Sequence, residues 1–285
     1  MIASIEPGDK AVGFINCLQH IHGKWGRKPF ALRDWQESII RKLFGTLNPD
    51  GTRQYRECGI WLPRKNGKSE LCAAIALYML LCDPESYGQI YSAATEKKQA
   101  SLVFDTALAM LQLQPELLEL CKVTAHEKLI RNLSTGTFYT SISADAGSKH
   151  GFNASCIIYD EIHAAKNHDL YNVLKTSMGA REQPLIITIT TAGIYDETAL
   201  EWELYSYAKH VRDGIIGDTK YLPVIYEMEE GEDWEDPEVW QRVNPALGDF
   251  RRRDEFEQLM DRAKKVPAFR NEAQRLYLNV HTQQK

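Results

Sequence analysis

The chain has 285 residues, 44% apolar and 26% charged, with a net charge of −5. This suits a globular protein of one large domain, or a domain with an appendage, that can bury a full core. An acidic balance excludes a histone-like or coat-like nucleic-acid binder, so any nucleic-acid contact must be local.

Met1 to Lys10 is mixed polar rather than signal-like, and the longest apolar stretch, Leu71 to Cys82, is too short to span a bilayer, so a cytoplasmic protein with no membrane partner is expected. The six cysteines form no C-x-x-C pair, and several sit in apolar runs as small hydrophobes, so neither zinc nor a disulfide framework is indicated. His20 with His22, and His163 with His168, lack matching acids or cysteines and read as surface or polar-core residues.

In chain order, Pro29 to Gln36 opens a helix running to Phe44. The Gln36 amide can both donate to and accept from an adenine edge, with Phe30 or Trp35 as a stacking neighbour; plain core packing of the two aromatics is the alternative. The apolar run Gly59 to Leu62 then leads through Pro63-Arg64-Lys65-Asn66-Gly67-Lys68-Ser69-Glu70 into a helix-like apolar segment from Leu71. Strand, loop and helix around Gly-Lys-Ser point backbone N–H groups and a helix N-terminus at one place, where a phosphate chain can bind. Gly67 allows close backbone approach, Lys68 would neutralise β/γ-phosphate charge, the Ser69 hydroxyl would hold Mg2+, and Arg64 adds a second cation. Leu62 stands where the first glycine of G-x-x-x-x-G-K-[ST] would fall, so the loop is a variant, and a solvated helix cap is the alternative.

Gln89 to Ala93 reads as a strand, Glu96 to Leu113 as a helix, and Leu129 to Ser143 as a hairpin; Asp145 to Phe152 reads as a loop. Cys156 to Tyr159 is a buried strand ending in Asp160 and Glu161. Asp160 is placed to order a magnesium shell with Ser69, and Glu161 to polarise water for attack on a γ-phosphoryl group. A third apolar run, Pro184 to Ile189, ends in Thr190-Thr191-Ala192-Gly193, where a hydroxyl could touch the γ-phosphate or the attacking water and couple hydrolysis to movement; an ordinary turn is the alternative.

Alternation of strand-like and helix-like segments from Gly59 to Asp213 predicts an α/β P-loop fold with a mainly parallel sheet flanked by helices. Tyr221 to Met228 could form a further strand, Glu229 to Asp236 an acidic loop, and Glu238 to Val280 a small helical subdomain broken at Pro245, Gly248 and Pro267. The expected division is 1–213, the ATPase core with its N-terminal adenine-side segment, and 214–285, a lid or linker. Lys97-Lys98 is one basic patch; Arg251-Arg252-Arg253 with Lys264, Lys265, Arg270 and Arg275 is another, interleaved with acids as on a paired, solvated helix.

Leu32-x-x-Trp35-Gln36, Pro63 to Ser69, Ala93-Ala94-Thr95 with Gln99, Ile158 to His163 and Thr188 to Gly193, in this order, closely resemble the large terminase subunits of tailed bacteriophages. The resemblance implies an ATPase of the additional-strand catalytic-glutamate class that pumps double-stranded DNA into a procapsid. Its implied partners are a portal protein, a small terminase subunit and copies of itself in a ring, with a monomer allowed for the isolated chain, in the host cytoplasm. It carries the Walker A groups onto Arg64, Lys68 and Ser69, the metal acid onto Asp160, the catalytic glutamate onto Glu161, the coupling motif onto Thr190 to Gly193 including Thr191, and the adenine-side residue onto Gln36. ATP and Mg2+ are the implied cofactors, with Lys65, Asn66, Gly67 and Glu70 completing the nucleotide-binding loop. The family's following nuclease domain is not expected in this chain. Where some members carry a trans-acting Arg-Gly, His150-Gly151 stands after Lys149, leaving Lys149, Arg131 and Arg181 as candidates for that cation. A helicase-like translocase and a nucleotide-gated scaffold with little hydrolysis are the alternative functions.

Overall fold

A computed structural model describes residues 6–143 and 151–283. Among these residues eight strands form one sheet: β1 (Glu57–Trp61), β2 (Gln89–Ala94), β3 (Cys121–Thr124), β4 (Leu129–Asn132), β5 (Phe138–Ser143), β6 (Cys156–Asp160), β7 (Leu185–Thr190) and β8 (Tyr221–Ile225). Their spatial order is β3-β4-β5-β2-β6-β7-β1-β8. From β5 to β8 every pair is parallel, whereas β3, β4 and β5 pair antiparallel, so the hairpin expected over 129–143 is the β4–β5 pair. One strand, β7, lies between the loop-bearing β1 and the acid-bearing β6.

The parallel strands are buried on both faces, and their alternate residues feed two separate cores. Cys156 and Ile158 of β6 join Leu185, Ile187 and Ile189 of β7 in the core under α1 (Pro7–Cys17), α2 (Asp34–Gly45), α3 (Lys68–Cys82) and α4 (Lys97–Gln112). Ile157 and Tyr159 join Ile186 in the opposite core, beneath α6 (Asp169–Thr176) and α7 (Leu200–Arg212); a short helix, α5 (Pro115–Glu119), leads into β3. Helix α3 is apolar on every side, as a helix enclosed by sheet and other helices must be, and Leu71 to Leu80 is buried throughout.

The division expected at 213/214 cuts through this architecture, because β8 hydrogen-bonds to β1 within the main sheet. A smaller core of Trp240, Leu247, Phe256, Met260 and Leu278 gathers α8 (Pro237–Val243), α9 (Arg253–Lys265) and α10 (Pro267–Leu278) only after that strand. The chain then returns across the end of β7: Asn279 Oδ1 accepts the Ala192 N–H at 2.7 Å, and the Tyr195 N–H donates to Thr282 O at 3.0 Å.

Beneath this crossing, Glu201 of α7 is buried and accepts Trp61 Nε1–H at 2.7 Å, with His281 Nε2 2.8 Å away. A Cβ at Gly193 would stand 2.8 Å from Glu201 Oε2, so the close approach of backbone to carboxylate requires glycine there. Trp61→Phe keeps most of the ring but removes one of the two donors to a buried carboxylate oxygen. It is expected to lower unfolding free energy by about 1–3 kcal/mol in urea titration; an unchanged midpoint and slope would show that the indole N–H contributes nothing.

Candidate active site

Parallel pairing brings the C-terminal ends of β1, β6 and β7 to one edge. Asp160 is level with Ile189, and Trp61 with Thr190, so the phosphate-loop candidate, the acids and the threonines become neighbours through register alone. Residues 62–67 turn from β1 into α3 with left-handed backbone at Lys65 (φ 69°) and Gly67 (φ 82°). Glycine is required at 67 by that φ, and the Phe250 ring already lies 3.4 Å from where a Cβ would sit.

Lys68 is 8% exposed and gives its ammonium protons to Leu62 O (2.8 Å), Pro63 O (3.3 Å) and Thr191 Oγ1 (2.9 Å). Burial pulls its pKa below the ordinary lysine value, and the nearby charges of Glu161 and Asp160 only partly oppose this. Asp160 is 2% exposed and neither carboxylate oxygen has a partner within the protein. Burial, reinforced by the adjacent Glu161 charge, pushes its pKa up to about 6 against the pull of Lys68. For Glu161 the balance is reversed. Burial would raise its pKa, but His163, Lys68 and Arg64 outweigh burial and hold the carboxyl below its ordinary value. Glu161 also has φ 53°, a left-handed conformation uncommon for a non-glycine residue and of the kind found at functional sites.

Lys68 and Glu161 border a cavity of about 940 Å³ that Arg64, Lys65, Gly67 and Ser69 also line, together with Trp25 and Phe250. The Trp25 and Phe250 rings meet edge to face, 6.2 Å apart, and the Arg33 guanidinium lies 4.7 and 4.4 Å from their centroids while bonding Asp249 at 2.7 Å. The sequence offers no sign of this wall, because Phe250 reaches the loop only through tertiary packing.

Several expected ligands have other tasks. Gln36 is buried off the cavity wall: its Oε1 accepts the Arg33 N–H at 3.1 Å, capping α2, and its Nε2 has no partner. Asn66 is fully buried, and its amide donates to Pro63 O (3.1 Å) and Asn244 Oδ1 (3.1 Å) while accepting from the Ala246 N–H (3.0 Å). It shapes the loop and ties it to the C-terminal helices instead of facing a phosphate. Glu70 lies on the cavity wall, but its carboxylate holds His20 Nδ1 at 2.7 Å. Thr191 is buried behind Lys68.

Arg251, read from sequence as solvated, is 2% exposed; it donates to Arg64 O at 2.9 Å and stacks on Phe256 and Tyr277. Arg181 bonds Asn153 O and Tyr87 O, and Arg131 bonds Gly136 O, all near the N-terminal ends of the parallel strands, away from the cavity. Lys149 and His150 lie outside the described residues. Among the described residues no cluster of three or more His, Cys, Asp or Glu could hold a metal, and no helix is long and apolar enough to cross a membrane.

Residues 34–210, more than half of the chain, match the family model described as "Terminase large subunit, ATPase domain". The chain is 30% identical over 278 residues to the large terminase subunit of Enterobacteria phage HK97, covering 95% of this chain and 53% of that protein. It is 33% identical over 133 residues to protein YmfN of Escherichia coli K12, covering 46% of this chain and 28% of that protein. The crystal structure of the HK97 large terminase superimposes with a TM-score of 0.85 at 28% identity, over 97% of this chain and 56% of that one. The large terminase ATPase domain of Thermus phage P74-26 gives 0.60 at 14% identity, covering 97% of this chain and all of that one, a likeness of fold. The chain thus spans about half the length of the HK97 protein.

The raised pKa of Asp160 has a consequence for stability. The folded state holds the Asp160 proton up to about pH 6, whereas the ordinary value is 3.8. Between those values the folded state binds more protons than the unfolded chain, so stability declines as pH rises through 6 and is unaffected by this group below about 4. Without nucleotide or divalent cation, Asp160→Asn is expected to melt higher than the wild type at pH 7, by up to roughly 3 kcal/mol, with the difference closing below pH 4. A difference independent of pH would contradict this.

Proposed function

Because the chain belongs to the ATPase-domain family of the large terminase subunits, we propose that it is the ATP-hydrolysing motor portion of a tailed-phage DNA-packaging machine, moving double-stranded DNA into a procapsid. The observation carrying this reading is the convergence of Lys68, Asp160 and Glu161 on one sheet edge beside a cavity of about 940 Å³, a size suited to a nucleotide. In this reading the N–H groups at the start of α3 and the Lys68 ammonium receive the phosphates, with Arg64 as a further cation at the mouth. Lys68 exchanges the carbonyls of Leu62 and Pro63 for phosphate oxygens. Water attacks the γ-phosphorus in line, Glu161 accepts its proton, and the bond to the β–γ bridging oxygen breaks to leave ADP and phosphate.

Ser69 on the wall and Asp160, with two orphaned buried oxygens, fit a Mg2+ that arrives with the nucleotide. When bound, such an ion neutralises charge on the β- and γ-phosphates. The base meets Trp25 and Phe250, aromatic rings that also line the cavity.

Portal protein, small terminase subunit and further copies of the chain in a ring are the proposed partners, in the host cytoplasm. The match to the terminase large subunit ATPase-domain family favours this reading over a helicase-like translocase. A nucleotide-gated scaffold has no use for a strained acid beside the metal acid.

Glu161→Gln is expected to bind ATP normally and to lose turnover by about 10²–10⁴-fold, whereas Lys68→Ala weakens binding as well. Equal hydrolysis in the Glu161 variant would remove its assignment as base. If copies of the chain complete one another's sites, specific activity rises with protein concentration; a flat profile over the range in which assembly is seen by light scattering would count against the ring.

A further inference from the structure

The reaction as described leaves His163 without a task, yet it stands between two of its parts. Its Nδ1 lies 3.0 Å from Glu161 Oε2 and 2.9 Å from Thr190 Oγ1, and its backbone N–H reaches the same threonine oxygen at 3.3 Å. Thr190 is fully buried, and its own hydroxyl proton is directed to Thr191 O at 2.9 Å. Glu161 Oε2, a carboxylate oxygen, can only accept, so the nitrogen facing it carries the ring proton, and with its hydroxyl turned to Thr191 O the threonine accepts from that same Nδ1–H. One N–H then has two acceptors and can align with one at a time. In this structure it aligns with Thr190, and Glu161 Oε2 has no aligned donor. The turn carrying His163 is anchored on Glu161 itself, whose carbonyl accepts the Ala164 N–H at 2.9 Å. On the far side, Thr191 holds the Lys68 ammonium. A continuous path thus runs from the phosphate-binding amine through Thr191, Thr190 and His163 to the acid.

We propose that His163 is a positioning residue for hydrolysis, whose Nδ1–H exchanges between Thr190 and Glu161 and so lets the end of β7 govern the acid. With the proton on Thr190, both Glu161 oxygens are open to water. With it on Glu161, one oxygen is occupied and the carboxylate is a weaker base. A triphosphate that draws Lys68 off its two loop carbonyls pulls on the Thr191 hydroxyl bonded to the same ammonium, and so on the end of β7, and Thr190 is the acceptor that this pull moves. This inference rests on Glu161 being the base.

The experiment measures kcat for ATP hydrolysis, and separately nucleotide affinity, in His163→Ala, His163→Asn, His163→Gln, Thr190→Val and Glu161→Gln. An asparagine amide nitrogen stands near the place of Nδ1, whereas a glutamine amide reaches toward that of Nε2. His163→Ala should lower kcat by roughly tenfold, less than loss of the acid itself, with affinity unchanged. His163→Asn should restore most of that loss and His163→Gln should not. The combined His163→Ala, Thr190→Val variant should lose less than the product of the two single losses. Equal kcat in the Asn and Gln variants overturns the proposal, and this comparison decides even if the alanine variant fails to fold. Wild-type kcat in His163→Ala, with Glu161→Gln inactive, overturns it while leaving the base assignment standing. Turnover retained in Glu161→Gln removes the base assignment and the proposal with it.

Discussion

A buried ammonium with every proton committed is the constraint from which the rest of the site follows. Lys68 sits in the first turn of α3, almost out of solvent, and its three hydrogen bonds end on two carbonyls of its own loop and on Thr191 from the neighbouring strand. An ammonium so placed is costly unless fully hydrogen-bonded, so the loop must keep Leu62 O and Pro63 O turned inward. The left-handed residues at 65 and 67 make that possible. The amine is thereby held, already desolvated, beside the place where phosphate charge would arrive. It also bonds directly to the strand segment that the resemblance marks as the coupling motif.

The loop is held from outside as well as inside. Asn66 joins it to Asn244 and Ala246, Arg251 donates to Arg64 O, and the Arg64 N–H donates to Leu276 O. All these partners belong to the C-terminal helical group or its connections, and the same group sends Asn279 across to the Ala192 N–H. The helices following β8 therefore grip both the phosphate loop and the end of β7. Displacement of either would be felt by the chain that runs on from residue 278, and under the proposed function that is where hydrolysis would find a mechanical outlet.

Much of this was legible in the sequence because local rules were strong. Strand–loop–helix at 59–77 and strands running into Asp160 and Thr190 are written in apolar runs that switch abruptly to polar tips, and parallel pairing then forces those tips onto one edge. The insertion of β7 between β1 and β6 was not legible, since strand order has no local signal. What escaped was set by tertiary contact. Gln36 and Asn66 belong to the right motifs, but their amides are consumed by a helix cap and by the C-terminal helices. Arg251 lies in a charge-rich stretch, yet it is buried between two rings. His163 read as incidental because its partners, Glu161 and Thr190, meet only when β6 and β7 pair; its place two residues beyond the acid at a strand end was the available hint. β8 fell on the wrong side of the division because a strand arriving after a long helix carries no mark of which sheet it will join.

The central claim is that Lys68 trades internal acceptors for phosphate at the edge shared by β1, β6 and β7. A crystal structure with Mg2+ and a non-hydrolysable ATP analogue tests it most directly. The expected result is a triphosphate over the start of α3, with Lys68 Nζ moved from the carbonyls of Leu62 and Pro63 to phosphate oxygens and the ion between Ser69 and Asp160. A triphosphate bound elsewhere, with Nζ still on those two carbonyls and Asp160 still unpartnered, would contradict it.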